Sequence, residues 1–145
     1  MNYEIGLFRI LNEIIKNFWV VNKNGIVIFN YSPSHRMDDQ RFGALLNTLD
    51  EFAEEFTEEG LQNFELENEK YLLFDKDEIL CIANSSKDVD EKEIIDKLKT
   101  LSEKFLKQYK DYLDNWKGNI EKFSDFEDII NKELRSPVKK FLKKI

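Results

Sequence analysis

The sequence predicts one mixed α/β domain in which helices cover both faces of a small antiparallel sheet. Three observations lead there. Apolar residues recur at helical spacing in several separated stretches. Short β-rich runs alternate with turn residues. The first two of those runs are apolar at nearly every position, which fits strands buried on both faces. A length of 145 residues suits one domain.

The elements follow in order. Residues 4–16 read as an amphipathic helix, with Ile5, Phe8, Leu11 and Ile15 on one face. Residues 17–31 read as a β-hairpin. Phe18-Trp19-Val20-Val21 and Ile26-Val27-Ile28-Phe29 flank Asn22-Lys23-Asn24-Gly25, where Asn24-Gly25 can take positive φ. Residues 32–37 form a loop marked by Pro33. Asp38 or Asp39 then caps a helix to about Phe56, with the stripe Phe42, Leu45, Leu46, Leu49, Phe52, Ala53 and Phe56. Gly43 inside that helix costs roughly 1 kcal/mol relative to Ala, so it reads as a point of close approach to the sheet.

Strands at about 61–66, 70–75 and 79–84 are joined by short polar links and form a meander. Asp88-Val89-Asp90-Glu91 is a capping-box pattern opening a helix over about 89–114. Its stripe is Ile94, Ile95, Leu98, Leu101, Phe105, Leu106, Tyr109, Tyr112 and Leu113, and Gly118 stops it. Ser124-Asp125-Phe126-Glu127 opens another helix, and Pro137 breaks it or starts the next turn. The order is α-β-β-α-β-β-β-α-α, an α+β arrangement on a five-stranded antiparallel-type sheet. The segments are an N-terminal helix over 1–16, a domain over 17–135 and a basic amphipathic tail over 136–145.

Charge and composition narrow the function. Net charge is −7, so a basic face for nucleic acid is not expected. No apolar run is long enough for a transmembrane helix, and no signal-peptide pattern opens the chain. Cys81 is the lone cysteine. It sits in an apolar run, which reads as a small core residue in a reducing, cytoplasmic setting. His35 is the lone histidine and falls in a loop, with no triad or metal set around it. No phosphate-cradling glycine pattern is present. The expectation is a protein without an active site, a metal or a cofactor.

Three surfaces stand out instead. Between Asp50 and Glu69 there are nine acids and no Lys or Arg. Glu54, Glu55, Glu58 and Glu59 gather at a helix C-terminus, where acids oppose the macrodipole. They read either as a solvated face or as a dock for a basic partner. The stretch from Lys132 to Ile145 carries six basic residues against Glu133. Lys139, Lys140, Phe141, Lys143 and Lys144 read either as a helix packed on the domain or as a contact with anionic lipid or a partner. Phe8, Leu11 and Ile15 are surplus apolar surface for docking on the domain or on a second copy.

The runs Phe18 to Phe29, Phe42 to Ala53, Lys70 to Phe74, Ile79 to Ala83 and Leu101 to Tyr109, ahead of Trp116, Phe123 and Phe126, resemble the longin domain of membrane-trafficking proteins. They cover about residues 17–135 and are similar to the short stand-alone longin-like proteins of archaea that carry many small GTPases. The related roadblock fold shares the five-stranded sheet but sets one helix before the first hairpin. This chain has helix signals at both ends, and its paired C-terminal helices favour longin. The resemblance implies a longin/profilin-like sandwich with an extra N-terminal helix. It also implies a cytoplasmic, non-catalytic adaptor for small GTPases or for other longin or roadblock subunits, as in vesicle trafficking. A structural homodimer of roadblock kind is the alternative. No site residues transfer, because the matching residues are core residues.

Overall fold

The computed structural model describes residues 14–31, 39–57, 63–66 and 69–133, without the side chains of 39, 52–57, 64 and 66. The expected helix over 4–13, the loop with His35, the residues beyond Thr57 up to 62, the link at 67–68 and the tail from 134 lie outside the described residues. Residues 14–16, expected to end the first helix, are bend and coil.

Five strands form one antiparallel sheet: β1 (Asn17–Asn22), β2 (Val27–Tyr31), β3 (Asn63–Leu66), β4 (Glu69–Lys76) and β5 (Ile79–Ser86). Their spatial order is β2-β1-β5-β4-β3. Side chains alternate between the two faces, so each apolar strand feeds two cores. On one face lie Trp19, Val21, Val27, Leu73, Leu80 and Ile82. On the other lie Phe18, Val20, Leu72, Ile79, Cys81 and Ala83.

The β1–β2 turn is organised by Asn22. Its Oδ1 accepts hydrogen bonds from the amides of Asn24 at 2.9 Å and Ile26 at 3.0 Å. Only Gly25 of the Asn24-Gly25 pair takes positive φ, at 80°. The hairpin register then slips between Val20 and Val21. The slip places Ile28 and Phe29 in the same core, although they are consecutive, the signature of a β-bulge. Val27 lies in the opposite core. Its amide donates to Gln40 Oε1 at 3.3 Å, and its carbonyl accepts from Gln40 Nε2 at 3.2 Å. A glutamine amide thus takes the place of a neighbouring strand at this edge.

Gln40 belongs to α1 (Asp39–Thr57), which covers the Trp19 face. Phe42 packs, tilted, at 4.3 Å from Trp19 and 5.6 Å from Tyr71, measured between ring centroids. Gly43 is the contact point. A Cβ there would overlap Val27 Cγ2 outright and stand 3.4 Å from Val21 Cγ2.

α2 (Glu91–Asp114) covers the other face. Its cap is Asp90, which accepts from the Lys92 amide at 3.1 Å, two residues beyond the expected Asp88. Ile94, Leu98, Leu101, Ser102, Phe105, Leu106 and Tyr109 are buried. The helix ends at Asn115, and Gly118, with φ at 96°, lies past that end in the following turn. Ser124 does not open a helix. It lies inside a 3-10 turn, Glu121–Asp125, and its hydroxyl donates to the Glu121 carbonyl at 2.7 Å. Helical backbone follows as α3 (126–133). Phe123, Phe126 and Ile130 are fully buried against α2 and β2. Phe105 centres this aromatic cluster, 5.0 Å from Phe126, 5.5 Å from Phe123 and 4.8 Å from Tyr109. The molecule is therefore a three-layer α+β fold.

Candidate functional site

α1 has one face toward the sheet and another toward solvent. The sequence puts Leu45 and Leu49 in the same apolar stripe as Phe42 and Leu46. The structure divides that stripe. Phe42 and Leu46 are buried at 2% and 0% exposure, whereas Leu45 and Leu49 are 48% and 37% exposed. They sit one turn apart, beside exposed Ala44 and Thr48. The buried phase continues through Asp50, a carboxylate at 5% exposure that has a partner. A helix whose apolar arc is wider than the groove beneath it leaves part of that arc outside. That arc is the candidate surface.

The acids expected to lie alongside are only partly described. Glu54 and Glu55 fall within the α1 backbone, while Glu58 and Glu59 lie outside the described residues. Phe8 and Leu11 also lie outside them, as do Lys139, Lys140, Phe141, Lys143 and Lys144. Ile15 has 0% exposure and belongs to the α2-side core. It packs on the domain, the first of the two alternatives, because chain entry into β1 carries it under α2.

The end of the sheet beside Ile15 holds a polar chain. Asn17 Nδ2 donates to Asn84 Oδ1 at 2.7 Å, and Asn84 Nδ2 donates to Glu69 Oε2 at 2.6 Å. Lys16 then pairs with Glu69 at 3.3 Å. Asn17 is buried, and its Oδ1 accepts no hydrogen bond among the described residues. The two asparagines face each other across β1 and β5, so they fix register at a position where apolar residues would slide.

Cys81 is fully buried, and burial pushes its thiol up to about 12. Ser102 of α2, whose hydroxyl donates to the Leu98 carbonyl at 2.7 Å, opposes that rise in part. It is inert core rather than a nucleophile. No cluster of three or more metal-ligating side chains occurs among the described residues. No helix among them is long and apolar enough to cross a membrane.

A second charged locus lies between α2 and α3. Glu133 accepts from Lys104 at 2.5 Å and from Lys97 at 3.5 Å. Hydrogen bonding from Lys104 holds its carboxyl below the ordinary value, with both lysine charges acting the same way and burial opposing them. Next to this cluster Lys104, Lys107, Gln108, Ile129 and Lys132 line a groove of about 450 Å³. The sequence signal for it was the lysine density of α2, which periodicity alone reads as a solvated face.

No protein-family model and no curated protein matches the sequence. Solved structures do resemble the fold. Myxococcus xanthus MglB aligns with a TM-score of 0.56 at 15% identity, over 73% of this chain and 90% of MglB. The gliding protein MglB from Thermus thermophilus aligns with a TM-score of 0.49 at 6% identity, over 64% of this chain and 78% of its own. The first of these likenesses shows a fold shared with Myxococcus xanthus MglB.

Proposed function

We propose that this chain is a non-catalytic interaction module of the cytoplasm, a longin- or roadblock-like adaptor that binds a small GTPase or a second subunit of its own fold. Residues 17–135 form the working domain in this reading, with 1–16 and 136–145 as flanking segments. The observation that carries it is the outward pair Leu45 and Leu49 on a helix whose opposite side is anchored to the sheet. Apolar side chains held on a rigid helix suit a partner helix or groove. The likeness in fold to Myxococcus xanthus MglB supports the roadblock side of the reading. The acids of the Asp50 to Glu69 run give the partner side a preference for basic surface.

Co-purification with candidate small GTPases, in both nucleotide states, tests the proposal. L45E and L49E should weaken capture at least about tenfold, the equivalent of roughly 1.4 kcal/mol. Each should change domain stability by only about 0.5 kcal/mol, as substitutions outside the core do. Capture that is absent in both states, or unaltered by either variant, overturns the reading.

A structural homo-oligomer is the second reading. It draws on the same two leucines, because a pair one turn apart on one helix can face its own copy across a two-fold axis. Light scattering separates the two, since L45E alone would then yield monomers without any GTPase present. An N-terminal contribution is tested by trimming 1–12, which spares Ile15 in the core.

A further inference from the structure

We propose that the groove between α2 and α3 binds an acidic segment of a protein partner, one that carries an apolar side chain among its carboxylates. The groove is built from facing helices. α2 supplies Lys104, Lys107 and Gln108, spaced within one turn, and α3 supplies Ile129 and Lys132. From residue 97 to residue 110 the outer side of α2 carries Lys97, Lys99, Lys104, Lys107 and Lys110 against Glu103. In a chain of net charge −7, this is a local run of lysines, bounded by Asp96 and Asp111.

Part of that run already holds a carboxylate. Glu133 lies between Lys104 at 2.5 Å and Lys97 at 3.5 Å. This ion pair shows the chemistry that the lysine face accepts. Lys107 and Lys132 have no hydrogen-bond or ion-pair partner among the described residues. They are the next positions along the groove, and among the described residues no carboxylate stands within ion-pair distance of either. Two cationic side chains that line one groove and hold no partner there attract an incoming carboxylate.

The shape selects among anions. Ile129 is half-buried, and the lysine stems add apolar wall around it. A bare phosphate has no group to place there. A bilayer surface offers headgroups to the lysines and no single aliphatic group to set beside Ile129. A peptide with an aliphatic side chain between acids meets both features. The site lies on the α2 side of the sheet, whereas Leu45 and Leu49 lie on the α1 side. It therefore stands apart from the function proposed above, and either can fail alone.

The test uses the full chain and a short fluorescein-labelled peptide of glutamates interrupted by two leucines one helical turn apart, read by anisotropy. Binding to the parent chain is expected. K107E/K132E should weaken it roughly tenfold or more, and K107Q/K132Q by less. K23E/K117E carries the same net charge as the first variant but alters exposed lysines that do not line the groove. It should leave binding unaltered. The proposal is overturned by the absence of binding to the parent chain or by equal loss in K23E/K117E. It is also overturned by equal affinity for a glutamate peptide without leucine. Sensitivity to K107E/K132E seen only with vesicles containing phosphatidylserine would assign the groove to membrane instead. Circular dichroism on each variant keeps unfolding from passing as loss of binding.

Discussion

Gly43→Ala sets two opposed effects against each other at one atom. In an open helix position the change stabilises by roughly 1 kcal/mol, since alanine restricts the unfolded chain and favours helix. Here the new Cβ overlaps Val27 Cγ2, and Val27 is 4% exposed in a strand pinned by Gln40. Forcing a methyl into such packing costs about 1–3 kcal/mol. The expected net is a destabilisation of about 1 kcal/mol, a drop in Tm of roughly 3 °C for a domain of this size. Urea unfolding gives the value directly. Val27→Ala removes the clashing group and creates its own cavity, costing roughly 1.5–2.5 kcal/mol. G43A/V27A should then cost less than the sum of the singles by about 1 kcal/mol or more. A more stable G43A, or strict additivity in the double variant, would refute the close-approach reasoning.

Phe105→Ala should destabilise by about 3–5 kcal/mol in the same unfolding experiment, because Phe105 is fully buried among Phe29, Tyr109, Phe123 and Phe126. Cys81 should resist a thiol reagent such as DTNB at pH 8 in the folded protein and react fully in denaturant, since its folded-state pKa is about 12. Glu133 has a folded pKa held below its unfolded one by Lys104 and then Lys97. Its contribution is complete above the unfolded value and is lost as pH falls through the folded value. Amide exchange in α3 should therefore quicken on acidification through that range, and E133Q should flatten the response at the cost of faster exchange near neutrality.

Much of the fold was legible because each element carries its own period. The α2 stripe from Ile94 to Tyr109 faces a core as its spacing demands. The Gly43 anomaly was legible too, since a helix tolerates glycine at such cost only for a reason. Other features depend on what lies opposite. Leu45 and Leu46 are neighbours of one chemistry, and only the width of the sheet beneath decides which is covered. Asp90 caps in place of Asp88 because both fit the local pattern and tertiary packing sets where the first turn begins. Asn17 and Asn84 lie in strands 67 residues apart, so no local signal joins them. The candidate surface was hidden for the same reason: an excess of apolar arc appears only when the groove it must fill is known.

The bulge at Ile28 and the Gln40 amide on Val27 give the sheet a direction of growth. Asn30, the next β2 residue after the bulged pair, also has a partner of its own. A foreign strand arriving at this margin would first have to evict Gln40 and then accommodate a kink. Fibril-like stacking through β2 is thereby discouraged.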